Sequence, residues 1–311
     1  MIISASRRTD IPTFYSKWFV NRIREGFFLV RNPMNFYQVS RVPLTPDVVD
    51  CIVFWTKNPI PMLDKLDELK EYQYYFQFTL TGYGHDIEAG LPDKKEALIP
   101  AFQRLSDMIG PERVIWRYDP IVVTGKYSVD YHLRAFSSIA SALEGRTEKA
   151  VISFVDVYRK NKKNMDEMEA DELTDERCLE LAGRLREIAS EHGMAVGACA
   201  ERLDMTSVGV ERNACIDAKL IERLIGARLG VGKDQNQREE CGCVASIDMG
   251  AYNTCANGCR YCYANFNPAS VKTNMAEHDP DSPLLIGRLG PEDKVTDRKV
   301  CSLKETQMRL F

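Results

Sequence analysis

The sequence predicts an α/β fold: a parallel sheet, closed or partly closed into a barrel, with helices outside it. Short apolar segments rich in β-branched and aromatic residues alternate with helical stretches of ten or more residues, and polar or ionisable residues recur where the apolar segments end. Strands that are apolar almost throughout are buried on both faces, as in a parallel sheet covered by helices. In such barrels chemistry collects at the carboxyl ends of the strands.

Ile2–Ser6 reads as the first strand and runs into Arg7-Arg8-Thr9-Asp10. Pro12 then suits the first turn of a helix whose apolar positions Phe14, Trp18, Phe19 and Ile23 recur at helical spacing. After Gly26 come an apolar stretch, Phe27–Val30, and a looser segment to Pro46. Val49–Trp55 is the next strand, ending in Thr56-Lys57-Asn58-Pro59 and followed by a helix around Met62–Leu69. Tyr74–Thr81 is a strand that opens into Gly82-Tyr83-Gly84, then a helix through Leu98, Phe102, Leu105 and Ile109. Strand Val114–Pro120, helix Val129–Leu143, strand Ala150–Asp156, helix Asp175–His192 and strand Met194–Cys199 complete the alternation. The strand ends carry Arg8, Thr9 and Asp10; Thr56 and Lys57; Thr79 and Thr81; Arg117 and Asp119; Asp156 and Tyr158; Cys199 and Glu201. Any one of these residues would merely cap a helix or be solvated. Six such ends in succession place them on one rim.

A chain of 311 residues is long enough for a single barrel. It divides into barrel strands and helices over 1–200, a connecting segment 201–240, a cysteine loop that completes the barrel over 241–266, and a polar tail 267–311. The net charge of −4 gives no basic field, so a nucleic-acid partner is not indicated by charge. Met1–Asp10 has no charged-then-apolar leader, and the expectation is a cytoplasmic protein whose ten cysteines serve metal ligation rather than disulfides. No apolar run has the length needed to cross a bilayer, so no membrane partner is expected.

Late in the chain, after a possible strand Val244–Gly250, stands Thr254-Cys255-Ala256-Asn257-Gly258-Cys259-Arg260-Tyr261-Cys262-Tyr263-Ala264-Asn265. The C-x3-C-x2-C spacing lets three sulfurs converge on one small inorganic centre. A closed zinc site wants a fourth protein ligand, and the loop supplies none; a cubane with three protein thiolates keeps one iron open to an outside ligand.

The loop resembles the cluster motif of radical S-adenosylmethionine (radical SAM) enzymes, and its wording from Gly258 to Asn265 is closest to the branch that includes spore photoproduct lyase. The resemblance implies that Cys255, Cys259 and Cys262 hold a 4Fe–4S cluster, that SAM chelates the open iron, and that Tyr261 packs by the adenine. Such domains usually begin with this loop, so its late position implies a circularly permuted, partial or full TIM-like barrel. Ser6–Asp10, Thr56-Lys57-Asn58-Pro59, Thr79-Leu80-Thr81, Glu88-Ala89-Gly90-Leu91-Pro92 and Arg117-Tyr118-Asp119-Pro120-Ile121 resemble further segments of that branch. They imply cofactor contacts from Thr9 and Asp10, from Lys57 to the SAM carboxylate, from Thr79 or Thr81 to methionyl or ribose groups, and from Arg117. A flavodoxin-like or ferredoxin-like electron donor and a substrate the sequence does not name are implied as partners. Over nearly its full length the chain also resembles an uncharacterised prokaryotic family defined only as a domain of unknown function. Lesion repair does not transfer with the motif.

Cys199, Cys215, Cys241 and Cys243 form a second set that could meet near the rim and bind an auxiliary iron–sulfur cluster or zinc. Separate buried thiols are the competing reading. Cys51, Cys178 and Cys301 fall in a strand, a helix and the tail, and His85 sits in a strand-end loop. Arg159–Asp175 reads as a solvated loop or lid. The alternative to an enzyme is a zinc or iron–sulfur module that holds a nucleic acid or protein.

Overall fold

A computed structural model describes residues 1–305. In chain order the elements are β1 (Ile2–Ala5), α1 (Ile11–Phe14), α2 (Ser16–Glu25), β2 (Phe27–Asn32), β3 (Asn35–Pro43), β4 (Cys51–Thr56), α3 (Ile60–Leu63), β5 (Tyr74–Thr79), α4 (Ile99–Ile109), β6 (Val114–Ile121), α5 (Val129–Ala142), β7 (Lys149–Phe154), α6 (Lys162–Glu167), α7 (Asp175–Glu191), β8 (Ala195–Cys199), β9 (Glu211–Asn213), α8 (Ala218–Ile225), β10 (Ile247–Asp248), α9 (Pro268–Ala276) and β11 (Lys294–Asp297).

The main sheet has eight parallel strands in the order β10-β1-β4-β5-β6-β7-β8-β9. Side chains alternate across it. Ile3, Ile52, Phe54, Phe76, Phe78, Trp116, Ile152 and Ala198 face one layer, packed with Trp18 and Phe19 of α2, Phe102 and Leu105 of α4, Phe136 of α5 and Leu185 of α7. Ile2, Cys51, Val53, Tyr75, Ile115 and Val151 face the other, which is covered by Ile221 of α8 and by Cys215, Ile216, Cys241, Cys243 and Val244. Both faces are therefore apolar and buried, which is why these strands read as continuous hydrophobic runs. Among the described residues strand pairing ends at β10 and β9 and does not close the barrel. Between those ends Val244 N donates to Ile216 O at 3.2 Å, and Ile216 N to Cys243 Sγ at 3.3 Å.

Four expectations need correction. The apolar stretch Phe27–Val30 and the looser segment to Pro46 together form an antiparallel hairpin of β2 and β3, and β11 from the tail adds to β3 in parallel. The helix around Met62–Leu69 is two short pieces, α3 and a 3-10 turn over Leu66–Leu69. The strand Val244–Gly250 pairs only over Ile247–Asp248, with Ile3 and Ser4 of β1. The connecting segment 201–240 contributes β9 to the sheet and α8 to its cover. Among the described residues no helix is long and apolar enough to cross a membrane.

Candidate functional site

The cysteine loop leaves the sheet at β10, and several segments fix its backbone. Asn265 Oδ1 accepts the N–H groups of Thr254 and Cys255 at 2.8 and 2.9 Å, and its amide donates to Arg8 O at 3.1 Å. Gly90 N donates to Asn257 O and Arg260 N to Ile87 O, each at 2.9 Å, so residues 87–90 run along the loop like a strand. Asn161 and Asn164 donate to Tyr261 O and Arg260 O at 3.2 and 2.7 Å. The stretch expected as a solvated loop or lid is mostly exposed, and through Asn161 and Asn164 it also clamps the cysteine loop. Gly258 takes a φ of +65°, the left-handed turn inside the motif.

The three loop thiols are half-buried and close enough to sense one another's charge. Burial pushes the Cys255 thiol well up, Asp10 adds to this, and Cys259 and Cys262 add further. Cys259 is pushed up to about 12, by burial first, with Lys57 opposing. Thiols in such a place stay protonated until something supplies positive charge, which is what a metal does to its sulfur ligands. Thr9 Oγ1 and Asn257 Oδ1 are buried beside the loop without a hydrogen-bond partner among the described residues. Three half-buried thiols and two unpartnered oxygens thus belong to the loop and its immediate support.

Asp10 caps α1 through Thr13 N at 3.0 Å. It also accepts Thr56 Oγ1 and Lys57 N, each at 2.8 Å, and Asn257 Nδ2 at 3.2 Å. Burial raises its pKa even so. Asp10 therefore ties the ends of β1 and β4 to the cysteine loop.

Lys57, at the end of β4, donates to Glu88 Oε1 at 2.8 Å and to the Tyr261 hydroxyl at 2.6 Å. The Tyr261 hydroxyl in turn donates to Glu88. Lys94 donates to the same carboxylate and to Thr81 Oγ1 at 3.1 Å, and Thr81 donates to Glu88 Oε2 at 2.9 Å. Glu88 is held down to about 2: burial opposes ionisation, but Lys57 and then Lys94 outweigh it. Lys57 stays charged because Glu88 overcomes its burial, whereas burial and the neighbouring Lys57 lower Lys94. With two ammonium groups on one carboxylate, the cluster keeps one net positive charge.

Arg117 makes no hydrogen bond to this group among the described residues, though its partner Asp119 helps to keep Lys57 charged. It pairs with Asp119 and reaches Gln77 Oε1 at 3.3 Å and Cys215 Sγ at 2.6 Å, which places it with the second thiol set. Cys199 and Cys215 stand 3.0 Å apart, Cys215 neighbours Cys243, and Cys243 neighbours Cys241. Hydrogen bonds from the Cys243 side chain and backbone lower Cys241 to about 7, against the opposing effects of partial burial, Cys199 and Cys215. Among the described residues no group of three or more His, Cys, Asp or Glu side chains is placed to hold a metal ion. The hydroxyl of Thr79, half-buried at the end of β5, has no protein partner among the described residues. His85 is exposed, and Cys51, Cys178 and Cys301 lie in β4, α7 and the tail, outside both groups. Glu201 accepts Phe154 N at 2.7 Å and is raised to about 7, chiefly by burial.

Residue-by-residue reading missed four groups that organise the site: Glu88, Lys94, Asp248 and Asn265. Asp248 accepts Ser4, Ser6 and Arg7 N, which joins β10 to β1. Glu88 was readable only as part of a loop, and no spacing marks Lys94. A cavity of about 440 Å³ lies behind the loop, between β2 and β3, Arg8, Tyr252, Thr254 and the tail. A second, of about 450 Å³, opens at the amino ends of β7 and β8.

No curated protein and no solved structure matches the chain. The model of the family described as "Domain of unknown function (DUF1848)" matches residues 2–264, and the chain belongs to that family.

Proposed function

We propose that this chain is a radical SAM enzyme with Cys255, Cys259 and Cys262 as the protein ligands of a 4Fe–4S cluster. The observation that carries the reading is the pairing of these three thiols, on one pinned loop at the carboxyl edge of a parallel sheet, with a half-buried group of net charge +1. Lys57 and Lys94 share a single carboxylate, so the cluster of side chains attracts a further anion such as the carboxylate of SAM. Tyr261 supplies a ring edge and holds Lys57 in place, and Thr79 and Thr81 offer hydroxyls at the same rim. The position of β10 beside β1 supports the permuted order, in which the last strand and its loop stand where such domains usually begin.

When bound and reduced, the cluster would give one electron to the SAM sulfonium, yielding methionine and a 5′-deoxyadenosyl radical. The chain's own residues bind the carboxylate, orient the adenosyl group and keep water away. A flavodoxin-like or ferredoxin-like protein is the proposed electron donor.

The test is anaerobic reconstitution followed by iron and acid-labile sulfide analysis, then incubation with SAM and dithionite and measurement of 5′-deoxyadenosine. Iron, sulfide and 5′-deoxyadenosine are expected together, and Cys259→Ala should remove the loop's cluster and the product. A protein that carries only tightly bound zinc and never cleaves SAM would refute the proposal in favour of a non-enzymatic binding module.

A further inference from the structure

Cys199 ends β8, Cys215 follows β9, and Cys241 and Cys243 precede β10, yet the four thiols meet on the face of the sheet that α8 covers. The ladder pairs Cys199 with Asn213, so Cys215, two residues further on, returns to the side that Cys199 faces. Their sulfurs stand 3.0 Å apart, and the contact runs on through Cys243 to Cys241. Isolated buried cysteines pack as small apolar groups and have no need of one another. An S–S bond is about 2.05 Å long, so a shift of about one ångström joins the first pair. We propose that Cys199 and Cys215 form a reversible disulfide, loaded through Cys243 and Cys241 by a low-molecular-weight disulfide.

The exchange starts at Cys241. The thiolate is the nucleophile in such reactions, and this thiol is the one of the four that is lowered, whereas Cys199, Cys215 and Cys243 are raised. The Cys241 thiolate attacks a disulfide RSSR, giving a Cys241–SR mixed disulfide and RS⁻, which takes up from water the proton that Cys241 lost. Cys243 then closes on Cys241, and its proton leaves with the second RS⁻. Cys215 attacks Cys243 and frees Cys241; Cys199 attacks Cys215 and frees Cys243. The protons of Cys215 and Cys199 pass to the two sulfurs released. In sum, two protein thiols and RSSR become one protein disulfide and two RSH, a two-electron exchange. Charge that passes along the chain meets donors: Arg117 Nη1 lies 2.6 Å from Cys215 Sγ, Asn213 Nδ2 reaches the same sulfur at 3.8 Å, and Ile216 N donates to Cys243 Sγ at 3.3 Å. A thiol is a poor acceptor, and a guanidinium aimed at a sulfur suits the anion that each exchange step creates.

The test holds the full chain in buffers of reduced and oxidised glutathione at graded ratios, quenches it in acid, alkylates the remaining thiols and maps the peptides by mass. A peptide pair linked through Cys199 and Cys215 is expected, reversed by dithiothreitol, with a yield set by the square of reduced over oxidised glutathione. Cys241→Ser should slow its formation about tenfold or more and leave the final yield unchanged, while Cys301→Ser, at an exposed tail thiol, should change neither. If Cys199 and Cys215 stay free thiols at every ratio, or link only in urea, the disulfide is overturned. An unchanged rate in Cys241→Ser overturns the relay. Should that variant fail to fold by circular dichroism, a brief pulse of oxidised glutathione on wild type decides: glutathione is expected first on Cys241, and its arrival first on another of the four overturns the relay. The measurement uses neither iron nor SAM, so its outcome and that of the radical SAM test are independent.

Discussion

Glu88 sits between two ammonium groups with its side chain 1% exposed, while Lys57 and Lys94 keep 15% and 20% of theirs. Replacing it with Gln leaves two half-buried cations without a counter-ion. Removing one partner of a fully buried pair costs about 3–5 kcal/mol. Because both lysines retain some exposure and Lys94 can shed its proton, the cost for Glu88→Gln should be about 2–3 kcal/mol in chemical denaturation. The carboxyl ionises at about 2 in the fold against an ordinary 4.5, so its stabilisation is present above about 4.5 and is lost as pH falls toward 2. The variant should therefore lose less stability than wild type on acidification. Equal losses, or an unchanged stability at neutral pH, would show that Glu88 does not compensate the lysines.

The cysteine loop is an element with almost no regular structure of its own, and its shape depends on what lies alongside it. At Gly90 an added Cβ would stand 2.5 Å from Ala256 O and 3.0 Å from Asn257 Cα, both backbone atoms of the loop. Gly90→Ala should displace the loop, cost about 1–3 kcal/mol as overpacking does, and lower the iron retained after reconstitution. Normal iron content in a folded Gly90→Ala protein would show that the ligands tolerate a shifted backbone. The cysteine loop was legible because its three thiols and glycine are local in sequence. Lys57, Thr81 and Asp10 were legible because strand ends can be located from apolar runs. Their partner Glu88 was not, since its role comes from two lysines and a tyrosine that only the fold brings together. The β2 and β3 hairpin was lost for a related reason: Asn35–Gln38 are all exposed, so no alternation announces β3, and one of its neighbours, β11, lies more than 250 residues further on.

At the scale of the whole molecule, a helix is joined to the sheet by polar groups as well as by apolar packing. His132, fully buried in α5, lies 2.9 Å from the Tyr118 hydroxyl of β6 through Nδ1 and 3.1 Å from Val122 O through Nε2. A neutral ring that donates from Nε2 and accepts at Nδ1 satisfies both. Burial lowers its pKa below the ordinary 6.5, against the opposing pull of the Val122 carbonyl. As pH falls, the unfolded chain takes up the proton before the folded one does. The stability His132 contributes is thus whole above about 6.5 and is lost as pH descends through the lower folded value. His132→Gln keeps a donor and an acceptor but cannot titrate, so it should be less stable than wild type at pH 7.5, and the gap should narrow as pH is lowered to 5. The other three histidines, His85, His192 and His278, are common to both proteins and cancel in the comparison. Paired urea titrations across that range measure the difference directly. A gap that stays constant with pH would mean that this ring takes up its proton equally well in the folded and unfolded chain, and that burial under α5 does not disfavour its charge.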